Sequence, residues 1–153
     1  MNVADLHEEI AIELEAMTEV VSELLALQQD VAGREPTVRE KTAAAAFLAQ
    51  FYNGIENILK RISYYYDVPL PEGEAWHVEL FQRFASPSFA NLPQLFDADL
   101  AANLAPYRRF RHVVFHSYGF QLDWQRMAEG VQGIQSLFNK FEATIAKFLQ
   151  ILT

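Results

Sequence analysis

The sequence predicts an all-α protein, an up-and-down bundle of four to five helices, on three observations. Apolar residues recur every three to four positions over three long stretches, a spacing that only a helix turns into one stripe. No stretch alternates apolar and polar residues for long enough to make a strand. Prolines and glycines gather at 67–75 and 86–93, where they punctuate the chain between helical segments.

The first helix runs from about Ala4 to Gln29, with Leu6, Ile10, Leu14, Met17, Val21, Leu24 and either Leu27 or Gln28 in its stripe, and ends near Gly33. Pro36 and the pair Thr37 and Glu40, three residues apart, form a helix-start signal. A long second helix follows from Thr37 to Tyr66, its series Ala44, Leu48, Phe51, Ile55, Ile58, Ile62 and Tyr65 stepping by four and three. Pro69, Pro71 and Gly73 force a loop over Asp67–Ala75. Trp76–Phe84 reads as a short helix, Ser86–Pro93 as a turn, and Asp97 to about Ser117 as a fourth helix that Gly119 ends or bends. Asp123–Leu152 closes the chain with a sustained heptad of Met127, Val131, Ile134, Phe138, Phe141, Ile145 and Phe148.

A chain of 153 residues fits one domain, 1–153, large enough to hold a packed core. The absence of cysteine excludes disulfides, thiolate zinc sites and thiol nucleophiles. The first fifteen residues carry acids where a secretory leader carries bases and an apolar run, and no membrane span is evident, so the expected compartment is the cytoplasm. A net charge of -8 speaks against a phosphate-bearing partner, but its distribution weakens that objection. Residues 1–33 hold eight acids and no Lys or Arg, which leaves twelve acids against twelve bases in the rest. Those acids read as the solvated face of the first helix, or as a surface for a basic partner.

One segment departs from the rest. Tyr107–Gly119 carries Arg108, Arg109 and Arg111 with His112 and His116, and no acid lies between Asp99 and Asp123. One reading is structural, with arginines on a solvated helix face and satisfied histidines. A metal reading has His112 and His116 at i,i+4, but two ligands without a carboxylate are too few for zinc, and no metal is expected. A third is phosphodiester chemistry: RNA supplies its own 2′-hydroxyl nucleophile, so cleavage needs a proton shuttle and a cation for the developing charge on phosphorus oxygens. Histidine near neutrality serves the first task and the arginine fork the second, which makes Arg111 and His116 the candidate pair.

Residues Arg111 to Tyr118 resemble the motif of the HepT-like branch of the HEPN superfamily: an arginine, a polar residue, three more positions, a histidine, one residue and a tyrosine. Here these are Arg111, His112, His116 and Tyr118. Flanking pieces agree, namely Phe51-Tyr52-Asn53-Gly54-Ile55-Glu56, Trp76-His77-Val78-Glu79-Leu80, Phe110-Arg111-His112-Val113-Val114 and Tyr118-Gly119-Phe120. Phe115 stands where relatives often carry a basic residue, a departure that bears on RNA binding.

The resemblance implies a HEPN-like fold in a two-fold homodimer. It also implies a ribonuclease toxin, free of metal and cofactor, beside a nucleotidyltransferase antitoxin of the MNT type. Arg111 and His116 become catalytic, His112 and Arg108 supporting, and Tyr118 the acceptor of AMP. Modification there adds a negative phosphate and a bulky base beside the cation that must meet the substrate. At 100° per residue, Arg111 and His116 lie about 140° apart on a regular helix, so they converge only if the helix unwinds before Ser117 or if two motifs meet across a dimer axis. A rival reading keeps the fold but makes the chain a non-catalytic HEPN module that binds a nucleotide or a partner. Nucleotidyltransferase activity of its own is excluded for want of a Gly-Ser pair followed by clustered aspartates. Glu56, beside the stripe of the second helix, is expected to pair with Lys60 one turn on, with contact to the arginine-histidine segment as the alternative.

Overall fold

Asn2 starts the first helix. Its side chain accepts from the Asp5 amide while the Asp5 carboxylate accepts from the Asn2 amide, so the two satisfy each other's orphan groups. The computed structural model describes residues 1–152 apart from Ser86 and Ser88, and gives α1 Val3–Asp30, α2 Val38–Tyr65, α3 Trp76–Gln82, α4 Ala98–Phe115 and α5 Trp124–Ile151. A single 3-10 turn, Gly119–Gln121, separates α4 from α5, and the described residues contain no strand. Thr37 and Glu40 cap α2 reciprocally, as their spacing predicts.

The helix ends depart from expectation in two places. α3 stops at Gln82 instead of Phe84, and the following chain turns back so that Phe84 O accepts from both Leu95 and Phe96 amides. The turn expected over Ser86–Pro93 falls partly on Ser86 and Ser88, which lie outside the described residues. α4 ends at Phe115, two residues early, with His116 as its C-cap at φ -120°. Gly119 therefore does not terminate α4; it opens the 3-10 turn, packed against Val38 and Thr42 at the start of α2. A side chain on Gly119 would collide with the Thr42 hydroxyl, which is the close approach that requires glycine there.

α2 occupies the centre and touches α1, α3, α4, α5 and the 3-10 turn. Its stripe Ala44, Leu48, Phe51, Ile55, Ile58 and Ile62 is buried, and so are Ala45, Tyr52 and Leu59 off that stripe, because the helix is clasped on more than one side. All seven apolar heptad positions of α5 are buried where it packs on α1, α2 and α4, and Phe138 meets Phe51 of α2 edge-on at 6.0 Å. α1 buries Leu6, Ile10, Met17, Val21 and Leu24, with Leu14 and Leu27 partly covered. Two of its acids are spent on α2: Arg61 lies 3.4 Å from Glu9 and 3.5 Å from Glu13, and Asn57 donates to Glu13 at 2.9 Å. Among the described residues, no helix is long and apolar enough to cross a membrane.

Candidate functional site

The arginine-histidine segment occupies the last turns of α4, and its three arginines separate as the helix rotates them. Arg109 lines an open groove of about 460 Å³ between α4 and α5, together with Tyr107, Phe110, Val113 and Arg126. Arg108 leans the other way, with its guanidinium 5.0 Å from the Phe81 ring of α3. Arg111, one turn further on, turns back onto α2 and α3, where several polar groups hold it.

Those groups come from two helices. Asn53 Oδ1 accepts from Arg111 Nε at 2.5 Å, and Glu56 Oε1 stands 3.5 Å from the same nitrogen. Arg111 Nη1 lies 3.1 Å from His77 Nε2, and His77 Nδ1 lies 2.6 Å from Glu56 Oε2. A guanidinium only donates, so His77 Nε2 accepts, and the imidazole hydrogen must sit on Nδ1 and point to Glu56. Glu56 is only 3% exposed. A carboxylate so deeply buried requires cationic or donor partners, which Arg111 and His77 provide.

Glu56 therefore does not pair with Lys60, contrary to the expectation from their i,i+4 spacing. The reason is burial: Glu56 faces the α3 and α4 side of α2, whereas the Lys60 ammonium sits 4.6 Å over the Trp76 ring. Tyr52 is adjacent and fully buried, with a hydroxyl that has no hydrogen-bond partner among the described residues. Burial raises its pKa above the usual phenol value, and the Glu56 carboxylate adds to the effect while Arg108 and Arg111 oppose it. On the opposite face Tyr107 donates to Gly130 O at 2.5 Å, and burial pushes its hydroxyl up to about 12.

The remaining motif residues are exposed. His112 and His116 lie ring to ring at 4.4 Å, and Phe115 covers the Arg111 guanidinium at 5.0 Å while being 61% exposed. Tyr118 is 70% exposed and parallel to Phe120 at 5.5 Å, with its amide held by Gln121 Oε1. Early termination of α4 places His116 beyond the regular helix, yet it joins His112 and makes no hydrogen bond to Arg111 within the chain. The structure thus brings Arg111 together with Asn53, Glu56 and His77, and His112 with His116, with no hydrogen bond between the side chains of the two groups. Among the described residues no three His, Asp or Glu side chains gather as a set able to hold a metal ion.

A family model described as a HepT-like protein matches residues 43–152, from inside α2 to the end of α5. The chain belongs to the HepT-like family. That is a HEPN-type toxin family, and the matched span contains every group in the Arg111 network and the whole arginine-histidine segment of this HepT-like chain. No curated protein and no solved structure matches it. Asn53 and His77 are partners of Arg111 that motif spacing did not single out, and Glu56 takes the alternative of contact with that segment over Lys60. The signal was weak: Asn53 and Glu56 are polar and three apart, on one face of a helix, but Gln50 and Asn57 are polar beside them.

Proposed function

We propose that this HepT-like chain is a toxin that cleaves RNA without a metal or cofactor, and that a nucleotidyltransferase antitoxin neutralises it by placing AMP on Tyr118. The observation that carries the reading is the anchoring of Arg111, whose Nε and Nη1 are engaged while Nη2 has no partner among the described residues. A guanidinium edge fixed in this way is available to two phosphate oxygens. In the proposed step, neutral His116 takes the proton of the 2′-hydroxyl and the freed oxygen bonds to phosphorus. The bond to the 5′-oxygen then breaks, that oxygen receives the proton, and a 2′,3′-cyclic phosphate remains. Arg111 stabilises the charge that builds on the non-bridging oxygens, with Arg108 and His112 in support.

Because Arg111 and His116 do not meet within one chain, the reading places them together in a cleft shared by two copies about a two-fold axis. Tyr118 suits its part through exposure, since a transferase must reach the hydroxyl. AMP added there sets a negative phosphate next to the substrate's own. A non-catalytic HEPN module that binds a nucleotide or a partner is the second reading. It is favoured by the match of Arg111 with the buried Glu56 carboxylate, which offsets part of the charge a phosphate would use.

Mixing experiments separate the two. Arg111→Ala and His116→Ala homodimers should each be inactive on RNA, and a mixture that exchanges subunits should recover about a quarter of wild-type cleavage, because half the dimers regain one of two sites. Full activity in either variant would refute the assignment, and no recovery on mixing would refute the shared cleft.

A further inference from the structure

A flexible arginine on a helix surface samples many rotamers, and ordering one against a phosphate costs entropy at each binding event. Arg111 has been ordered in advance. Asn53 and Glu56 sit on α2 and approach Nε, His77 sits on α3 and approaches Nη1, and the Glu56 carboxylate bridges to His77. Asn53 fixes Nε. His77 fixes Nη1, and it can do so only as the tautomer with its hydrogen on Nδ1, the nitrogen that Glu56 engages at 2.6 Å. Glu56 thus acts twice, balancing the arginine charge and choosing the imidazole tautomer, in the manner of a carboxylate that orients a ligand histidine.

We infer that Asn53, Glu56 and His77 are positioning residues for Arg111, holding its Nη2 edge toward the scissile phosphate. The inference rests on the cleavage reading above. His77 touches no reacting atom in this scheme. It serves as an acceptor, and that role differs from proton transfer in a way that substitution can resolve. Glutamine at position 77 carries a carbonyl oxygen near where Nε2 lies and can still accept from Arg111. Asparagine is shorter and keeps only a donor toward Glu56, and alanine keeps neither.

The test measures kcat and KM on RNA for the full-length wild type, His77→Gln, His77→Asn, His77→Ala and Asn53→Ala, with thermal melting to confirm folding. Misorientation of a fixed group by about 1 Å costs on the order of 100-fold in rate. His77→Ala, His77→Asn and Asn53→Ala should therefore lose about 10- to 100-fold in kcat with little change in KM, and His77→Gln should regain most of that loss. A His77→Gln as slow as His77→Ala, or an alanine variant with wild-type kcat, would overturn the inference. Arginine side-chain NMR gives a readout independent of cleavage. The Arg111 Nε–H signal should be resolved and slow to exchange in wild type, and broadened or lost in Asn53→Ala. A signal unchanged by that substitution would refute positioning even if RNA is cleaved. A wild type that leaves RNA intact but shows the protected, Asn53-dependent signal would refute cleavage and leave positioning standing.

Discussion

At the scale of single residues, Tyr52 holds one of the buried polar atoms that the fold leaves unpaired among the described residues. Its hydroxyl is buried without a hydrogen-bond partner among the described residues, so it carries a desolvation cost with no compensating bond. Tyr52→Phe should leave stability unchanged or raise it by up to about 1 kcal/mol. Denaturant unfolding checks this, and a loss of more than about 1 kcal/mol would show that the hydroxyl is bonded in solution. The sequence marked Arg111, His112, His116 and Tyr118 as candidates because one motif concentrates them. Partners supplied by other helices were not marked in this way. Spacing along α2 offered Lys60 to Glu56, whereas burial against α3 and α4 gave it His77 and Arg111, and one-dimensional spacing carries no information about burial.

At the scale of elements, two glycines predict opposite outcomes. A Cβ on Gly54 would stand 2.5 Å from Met17 Cγ, where α1 and α2 approach closely, whereas one on Gly133 would meet only the Tyr107 hydroxyl, at 4.0 Å. Gly54→Ala should therefore cost about 1–3 kcal/mol through overpacking, and Gly133→Ala should gain about 0.5–1 kcal/mol from the stiffer unfolded chain. Equal effects in thermal or denaturant unfolding would contradict the packing described. The start of α2 carries a pH prediction. Arg34, then the Thr37 amide, hold the Glu40 carboxyl at about 2, below its ordinary 4.5. A depressed folded pKa means the contribution is complete above pH 4.5 and fades as pH falls toward 2. The difference in melting temperature between wild type and Glu40→Gln should thus be constant above about pH 5.5 and close in acid; a difference that widens in acid would reverse the assignment. Helix positions were readable because a 3.6-residue period leaves few alternatives, and Thr37 with Glu40 marked a true start. The end of α4 was less so: Phe115 continues a helical pattern, and the stop depends on the 3-10 turn docking against Val38 and Thr42.

At the scale of the whole molecule, the acidic charge is partly structural, since Glu9 and Glu13 fasten α1 to Arg61 of α2. The sequence offered those acids as a solvated face or a docking surface, and it could not show which of them a cation on the next helix would take. Fold class and family were open to sequence reading because the periodicity spans most of the chain and the Arg111–Tyr118 motif comes with flanking pieces in the same order. The proposed cleft was not, because Arg111 faces α2 and α3 while His116 lies beside His112, and only the proposed pairing of two copies would bring them together. The most direct measurement is cleavage of RNA by purified wild-type protein in excess EDTA, with the product ends identified. The account predicts cuts that leave 2′,3′-cyclic phosphate or 3′-phosphate ends and that vanish in His116→Ala. Intact RNA, or cleavage that appears only when a divalent metal is restored, would contradict it.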